Sequence, residues 1–259
     1  MPGKNKFLWR DLWAGLALPL GLLAAWKLVS AAGWVNASLL PSPEKVLKVI
    51  GDSLADGFLV KNLLISFNRV IKGFLAGSTI GFVLGTWMGL SKTAEKVFGP
   101  FFHAIRNVPL VGWVPLFIIW FGFGEFSQVV FISVGAFYPV VLNTLQGIRG
   151  VRREYVELGR VFGFSRLKVF TRIILPAAIP SVFTGVRLSL SISWMLVVAA
   201  ELFGVSTGGV GNMMMDAREF FKMDIVIMGI LTIGVVGFIM NQLLAMIEGH
   251  FLSWKRKAA

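Results

Sequence analysis

Long runs of apolar residues, separated by short polar segments, dominate this chain. Each run is long enough to cross about 30 Å of hydrocarbon at about 1.5 Å per helical residue. Because the runs are continuously apolar and not striped, they predict an all-α membrane protein with about six transmembrane helices. The predicted spans are Leu12–Ala32, Ser66–Leu90, Phe98–Phe121, Gln128–Ile148, Ile179–Phe203 and Ile225–Ile247.

Composition agrees with this reading. The chain has 259 residues, of which 56% are hydrophobic and 15% charged, and we expect one transmembrane domain over residues 1–259. The basic start followed by an apolar run lacks a clean small-residue cleavage site. We therefore interpret it as a retained first span instead of a secretory signal.

The basic residues lie between the apolar runs, where they predict orientation. Net charge is +12, and most of the 25 lysines and arginines fall in four segments. These segments are the N-terminus (Lys4, Lys6, Arg10), residues 92–96, residues 149–172 and the C-terminal Lys255, Arg256 and Lys257. Loops rich in Lys and Arg stay in the cytoplasm. Nucleic-acid binding is disfavoured, because it needs basic residues arrayed on a water-exposed fold.

An even number of spans returns both termini to one side of a plasma membrane, and the basic residues assign that side to the cytoplasm. Residues 149–178 are then also cytoplasmic. The expected outer segments are 34–60, 122–127 and 205–222. In the first of these, Ser42 and Pro43 precede apolar residues at helical spacing, which predicts a short helix at the outer face.

No catalytic or metal constellation is recognisable. The chain has no cysteine and two histidines, which excludes disulfides and thiolate sites and disfavours metal chemistry. Gly89–Thr93 resembles a phosphate loop, but Ser91 replaces the glycine before lysine and no strand precedes it. Met213–Met215 suggest copper, yet no Cys or His assists, so adaptable packing is favoured. We expect neither an enzyme nor an ATP site.

A four-residue glycine series marks the second predicted span. It comprises Gly73, Gly77, Gly81, Gly85 and Gly89. Small residues at this spacing let a neighbouring helix backbone approach closely in lipid. The series predicts a helix-packing face, in contact either with the same chain or with a second copy; we favour the same chain.

Ionisable residues inside the spans are candidates for a polar pathway, because a charge in hydrocarbon is costly. The candidates are Arg106, Arg187 and Glu201. Each could line a pathway or form a structural pair, and for Glu201 the structural interpretation is favoured. Arg69 and Lys72, near the start of the second span, are expected to extend to the membrane interface.

A charged, helix-capable segment lies between the fourth and fifth spans. Its motif residues are Glu157, Leu158, Gly159, Gly163, Ile173, Leu175 and Pro176. This spacing resembles the cytoplasmic "EAA" loop of permease subunits in binding-protein-dependent ABC importers. In that family the loop forms a short helix, a glycine turn and a second helix that docks on the ATPase. Leu158 and Gly159 replace two alanines of the family pattern.

Other segments are similar to the nitrate, sulfonate and taurine branch of these permeases, and most similar to aliphatic sulfonate permeases. They are Leu40–Pro43, Arg106–Pro109, Pro115–Gly122, Gly147–Arg149, Ile174–Pro180, Ala200–Glu201, Ala217–Phe220 and Asp224. The resemblance implies a type I ABC importer fold and a permease homodimer in the bacterial plasma membrane. It also implies a cytoplasmic ATP-binding subunit carrying ATP and Mg, and an external substrate-binding protein.

The implied substrate is an aliphatic sulfonate, with taurine, nitrate or a pyrimidine precursor as alternatives. In that family ATP binding opens the permease outward and hydrolysis resets it, so solute enters the cytoplasm. A secondary transporter or channel without an ATPase is the alternative from another class. Such a protein would need no docking loop.

Overall fold

The computed structural model describes residues 4–105 and 108–251. Regular structure in these ranges is helical, in agreement with the predicted all-α class. The helices are α1 Lys4–Ala31, α2 Pro43–Ala55, α3 Phe58–Leu90, α4 Lys92–Ile105, α5 Val114–Phe121, α6 Glu125–Arg149, α7 Arg153–Val161, α8 Arg166–Val169, α9 Leu175–Leu202, α10 Val210–Glu219 and α11 Met223–Phe251. A 3-10 turn, Leu110–Trp113, precedes α5, and a π-helical segment, Phe170–Ile174, joins α8 to α9.

Four helical stretches of the described chain are long and apolar enough to cross a membrane. They are Phe58–Leu90, Glu125–Arg149, Arg166–Leu202 and Met223–Gly249. They correspond to the predicted second, fourth, fifth and sixth spans. Where the predicted first and third spans lie, the described apolar helices are shorter, Ala17–Ala31 and Leu110–Phe121.

The predicted third span, Phe98–Phe121, is not one continuous helix. Val108 and Pro109 are not helical, and Pro109 precedes the 3-10 turn with a ψ of 120°. Proline lacks an N–H donor and disfavours the helical conformation of the residue before it. Pro115, by contrast, lies in the first turn of α5, where a missing N–H breaks no helical hydrogen bond. Arg106 and Asn107 lie outside the described residues.

The chain divides into two compact units. The first comprises the residues up to Lys61 together with Met213–Thr232. In it, Ser42 caps α2 by accepting a hydrogen bond from the Lys45 amide at 3.3 Å, and Pro43 occupies the first turn. The helix predicted after Ser42 and Pro43 is therefore present.

Ion pairs and close packing hold the first unit together. Lys27 pairs with Glu44 at 2.7 Å, and Lys45 pairs with Asp224 at 3.0 Å. Met213 and Met214 are buried, and a Cβ added at Gly229 would lie 2.6 Å from the Met214 sulfur. These thioethers fill space beside a glycine, as the packing interpretation expects.

The second unit comprises Asn62–Asn212 and the chain from Ile233 onward. In this unit the glycine face of α3 lies directly on the backbone of α6. A Cβ added at Gly81 would lie 2.7 Å from the Phe137 carbonyl oxygen, and one at Gly85 would lie 2.7 Å from that of Val141. Gly73 and Gly77 also lie close to α6 backbone atoms, whereas Gly89 packs on the Ile148 side chain of α6. The neighbour of this face therefore belongs to the same chain.

Small residues also bring α9 close to α6. A Cβ added at Gly185 would lie 2.9 Å from the Pro139 carbonyl oxygen. The hydroxyl of Ser189 donates to the Ala136 carbonyl at 2.8 Å, and that of Ser181 donates to the Asn143 carbonyl at 2.8 Å. Close contacts to both α3 and α9 therefore fix α6, and these three helices position the polar residues described next.

Candidate functional site

The segment between α6 and α9 folds as a helix, a glycine turn and a second helix. Gly163 adopts a φ of +72°, and its amide donates to the Arg160 carbonyl at 2.9 Å. The Phe164 amide donates to the Gly159 carbonyl at 3.0 Å. This pair of bonds is the Schellman motif, which ends a helix and favours glycine at the left-handed position. Ser165 then caps α8 by accepting from the Lys168 amide at 3.3 Å.

Two residues of the loop motif, Gly159 and Ile173, lie in contact in the folded loop. Gly159 is buried, and a Cβ added there would lie 2.5 Å from the Ile173 Cδ1 atom. A glycine in a helix costs about 1 kcal/mol against alanine. The contact explains why glycine occupies this position in α7. Leu175 and Pro176 form the first turn of α9, where proline is tolerated.

The outer surface of this loop is apolar and exposed. Its largest exposed apolar side chains are Leu158, Val161, Phe162 and Leu167, with Val161 exposed by 82%. We call these four residues the loop patch. Glu157 lies beside Leu158 and is also exposed. Several large apolar side chains exposed on one short segment are typical of a protein interface.

A buried ion cluster joins α3, α6 and the C-terminal end of α9. Arg69 is only 1% exposed, which contradicts its expected extension to the membrane interface. Its guanidinium donates to Glu201 at 2.8 Å and to Glu125 at 2.5 Å. The fully buried Glu201 also accepts from the Ser66 hydroxyl at 2.8 Å. Arg69 is therefore neutralised by two carboxylates, and Glu201 has the structural pairing that was favoured for it.

The cluster also holds the loop after α9. Arg69 donates to the carbonyls of Thr207 and Gly208 at 2.8 and 2.7 Å. The Gly211 amide donates to Glu201 at 2.9 Å, and the Val210 amide donates to the Ser66 hydroxyl at 2.9 Å. Side chains of the spans thus satisfy the backbone groups of residues 207–211, as buried polar groups require.

Arg187 lies near the middle of α9 in a different setting. Its side chain is 46% exposed and pairs with Glu248 of α11 at 3.8 Å. One turn further along, the Ser191 hydroxyl donates to the amide oxygen of Asn241 at 3.3 Å. Because Thr184, Arg187 and Ser191 recur at helical spacing and are exposed, α9 carries a polar face within its apolar span.

Two cavities adjoin this polar face. A cavity of about 520 Å³ is lined by Gln146, Arg152, Ser181 and Thr184 among others. A smaller hollow of about 150 Å³ is lined by Leu190, Ser191, Trp194, Gly237, Met240 and Asn241. Thr184 precedes Arg187 by one turn, and Ser191 follows it by one turn. Arg187 therefore lies between the two cavities along α9.

Sequence reasoning missed the partners of both arginines. Glu248 lies one residue beyond the predicted sixth span, and Asn241 is one of the polar residues within that span. Their seven-residue spacing places both on one face of α11 and could have identified them. Arg69 and Glu201 are 132 residues apart, so no local pattern connects them.

Comparison with known proteins identifies the family. Residues 77–252 match the family described as binding-protein-dependent transport system inner membrane component. The chain belongs to this family. It is a permease subunit of an ABC importer and not an enzyme, because in this family a separate subunit is the ATPase. The resemblance recognised in the sequence is confirmed.

Relatives and a solved structure support this assignment. The chain is 39% identical to the aliphatic sulfonates transport permease protein SsuC of Bacillus subtilis, over 98% of this chain and 91% of the relative. It is 33% identical to the taurine transport permease TauC of Escherichia coli, over 90% and 86%. A crystal structure of an amino acid ABC transporter shares the fold, with a TM-score of 0.56 and 15% identity over 78% of this chain and 95% of the other.

Proposed function

We propose that this permease carries a small organic anion, an aliphatic sulfonate, into the cytoplasm in an ATP-driven importer. The observation that carries the proposal is the 39% identity to a relative named for aliphatic sulfonates. A second relative of that name, from Escherichia coli, is 35% identical over 92% of this chain. Taurine and bicarbonate permeases are further relatives, at 33% and 29% identity.

The test is uptake by a strain that lacks its own sulfonate permeases and expresses this chain with its ATPase and binding protein. Labelled ethanesulfonate, taurine, nitrate and bicarbonate are supplied separately, and growth on each sulfur or nitrogen source is followed. We expect uptake of ethanesulfonate that depends on ATP. Uptake of another anion with none of ethanesulfonate would refute the sulfonate assignment, and ATP-independent uptake would favour a channel or secondary transporter.

We infer that residues 149–178 dock the cytoplasmic ATPase, which binds the ATP and Mg. The support is the loop patch, four large apolar side chains of the helix-turn-helix segment that are exposed in this chain. Glu157, Leu158 and Gly163 belong to the docking surface or its turn, while Gly159, Ile173, Leu175 and Pro176 support it from beneath. Two permease chains form a homodimer in this proposal, each engaging one ATPase.

Substitution at the turn tests this docking. Gly163→Pro is expected to abolish substrate-stimulated ATP hydrolysis by the assembled complex, because proline fixes φ near −65° where the chain needs +72°. Glu157→Lys reverses an interface charge and is expected to weaken assembly. Glu157→Gln and Gly163→Ala are graded controls. Normal stimulated hydrolysis by correctly inserted Gly163→Pro and Glu157→Lys would remove the coupling role from this loop.

We also propose that both termini and residues 149–178 are cytoplasmic. The concentration of Lys and Arg in these segments supports this topology. The chain has no cysteine, so single cysteines report location cleanly. In intact cells an impermeant thiol reagent should label Ser38→Cys and leave Val161→Cys unlabelled, both positions being exposed. The opposite pattern would invert the topology.

A further inference from the structure

Arg187 is an exposed charge in the middle of an apolar span. It is residue 13 of the 28-residue helix α9, and 46% of its side chain is exposed. Charged side chains at the centre of a membrane cost at least about 2.5 kcal/mol when they face lipid. The open side of Arg187 therefore faces water or a polar ligand.

The guanidinium retains capacity to bind. Its ion pair with Glu248 is 3.8 Å long, beyond the length of a charge-assisted hydrogen bond. Among the residues that the structure describes, Glu248 is its one ionic partner. A guanidinium carries five N–H donors in a planar fork that matches the oxygens of an oxyanion. Most of these donors remain available to a ligand.

Asn241 and Ser191 add neutral donors beside this charge. The Ser191 hydroxyl has two acceptors within reach of its one proton, the Asn241 amide oxygen at 3.3 Å and the Arg187 carbonyl at 3.2 Å. With its oxygen engaged, Asn241 has an NH₂ group left to donate. Ser191 and Arg187 are one turn apart, about 6 Å along the helix axis. The guanidinium of Arg187 and the NH₂ group of Asn241 are both donors of the kind that binds an oxyanion.

The hollow on the other side of Ser191 is mainly apolar. Leu190, Trp194 and Met240 line it, and its volume is about 150 Å³. An apolar cavity of that size binds benzene in another protein. The indole N–H of Trp194 donates to the Ile233 carbonyl at 3.1 Å, so this donor is already engaged within the protein. The hollow has room for a short alkyl chain.

We propose that these groups form a binding site within the permease for an amphiphilic anion. Arg187 and Asn241 bind the oxyanion head, and the hollow beside Leu190 and Trp194 receives the tail. Glu248 is the counter-ion that the anion displaces from Arg187. The proposal rests on the proposed importer function and adds solute selectivity in the permease itself.

Charge substitutions test the head group in the complete complex, by the concentration dependence of labelled ethanesulfonate uptake. Arg187→Gln is expected to lower uptake at low concentration about tenfold, because a charge-assisted hydrogen bond is lost. Arg187→Lys should recover part of it. Glu248→Gln removes the carboxylate that competes with the anion for Arg187, so it is expected to lower the half-saturating concentration. The change should be only about two- to fivefold, because the half-exposed Arg187–Glu248 pair is weak. Lys72→Gln is the matched control, because it removes a positive charge from a different spanning helix, α3.

A purely structural ion pair gives different results. In that case the double variant Arg187→Gln with Glu248→Gln would recover uptake, since neither partner is left alone. We expect no recovery, because the anion still lacks its arginine. Recovery in the double variant, or wild-type uptake by Arg187→Gln, would overturn the proposal.

Chain length tests the hollow. Leu190→Ala enlarges the hollow and is expected to favour hexanesulfonate over ethanesulfonate, while Leu190→Phe should shift the preference the other way. Bicarbonate has no alkyl tail. If the wild type takes up bicarbonate, this uptake should change in the Arg187 variants but not in the Leu190 variants. Equal responses of short and long sulfonates to both Leu190 variants would refute the tail site.

Failure of the proposed function is distinguishable from failure of this site. If the wild-type complex transports none of the labelled anions, the proposed substrate class fails and the site fails with it. If the wild type transports an anion and Arg187→Gln transports it equally well, only the site fails.

Discussion

Arg69 and Arg187 both lie on long apolar helices of the second unit, but their surroundings are opposite. Arg69 is 1% exposed and donates to two carboxylates and two backbone carbonyls. Arg187 is 46% exposed and, within the described residues, has one ionic partner at 3.8 Å. The first guanidinium has its donors used by the protein, whereas the second has donors to spare.

The difference separates an architectural charge from one that is able to act on a ligand. A buried arginine is tolerated only when its hydrogen bonds are satisfied, and removing one partner then leaves an uncompensated charge. A half-exposed arginine with a single long pair contributes little to folding. The position of a charged residue within a span therefore does not identify its function. Its exposure and the number of its hydrogen-bond donors that the protein leaves unused do.

The largest expected effect is that of Arg69→Gln. Glu201 is fully buried and would lose its cationic partner, which costs about 3–5 kcal/mol. We expect the purified variant to melt far below the wild type in detergent, or to yield little inserted protein. The melting temperature is measured in a thermal melt, and the yield is the amount of protein in the membrane fraction.

Arg69→Lys and Glu125→Gln calibrate this result. Lysine keeps the charge but cannot reach two carboxylates and two carbonyls at once, so an intermediate melting temperature is expected. Glu125 is 56% exposed, so its substitution should have a smaller effect than loss of Arg69. An Arg69→Gln variant with the melting temperature of the wild type would contradict a structural role for this cluster.

A smaller loss is expected from Gly211→Ala, which leaves every charge of the cluster in place. The added Cβ would lie 2.6 Å from the Glu201 Cβ and 2.7 Å from the Val198 carbonyl oxygen. Overpacking of this kind costs about 1–3 kcal/mol. Gly234→Ala is the matched control, because nothing lies within 4 Å of its added Cβ. A melting temperature for Gly211→Ala as high as that of Gly234→Ala would contradict the tight fit.

Patterns within about twenty residues predicted much of this fold. Continuous apolar runs located four long spans, and the Ser42–Pro43 pair located the start of α2. The predicted glycine turn at Gly163 has the left-handed φ expected of it. These features depend on neighbours in sequence, which a pattern records.

Features that depend on distant residues were not predictable in this way. Arg69 was assigned to the interface because its position near a span end allowed it, and its partner Glu201 is 132 residues away. Glu248 lies just beyond the predicted end of the sixth span, so it was not among the ionisable residues predicted inside the spans. The predicted third span is interrupted at Pro109, where the apolar run continues but proline removes a helical hydrogen bond whatever the hydrophobicity.

On the other side of the comparison, Arg187→Gln is expected to leave stability nearly unchanged. Its partner Glu248 is itself 26% exposed, so loss of this half-exposed pair should cost about 0–1 kcal/mol. The melt is run beside that of Arg69→Gln under identical conditions. Destabilisation by Arg187→Gln as large as that by Arg69→Gln would make both arginines architectural.

The smallest effect is expected at Lys27 and Glu44, an exposed ion pair of the first unit that extends the comparison to a solvent-facing charge. The hydrogen bond from Lys27 lowers the pKa of Glu44 below its ordinary value of 4.5. Since the folded-state pKa is the lower one, the stabilisation is present above pH 4.5 and is lost as the pH falls through the folded-state pKa. The side chains are 66% and 59% exposed, so salt should screen the pair. Glu44→Gln should therefore remove a slight fall in melting temperature below pH 4.5 at low salt. Identical pH profiles for the variant and the wild type at low salt would contradict this contribution.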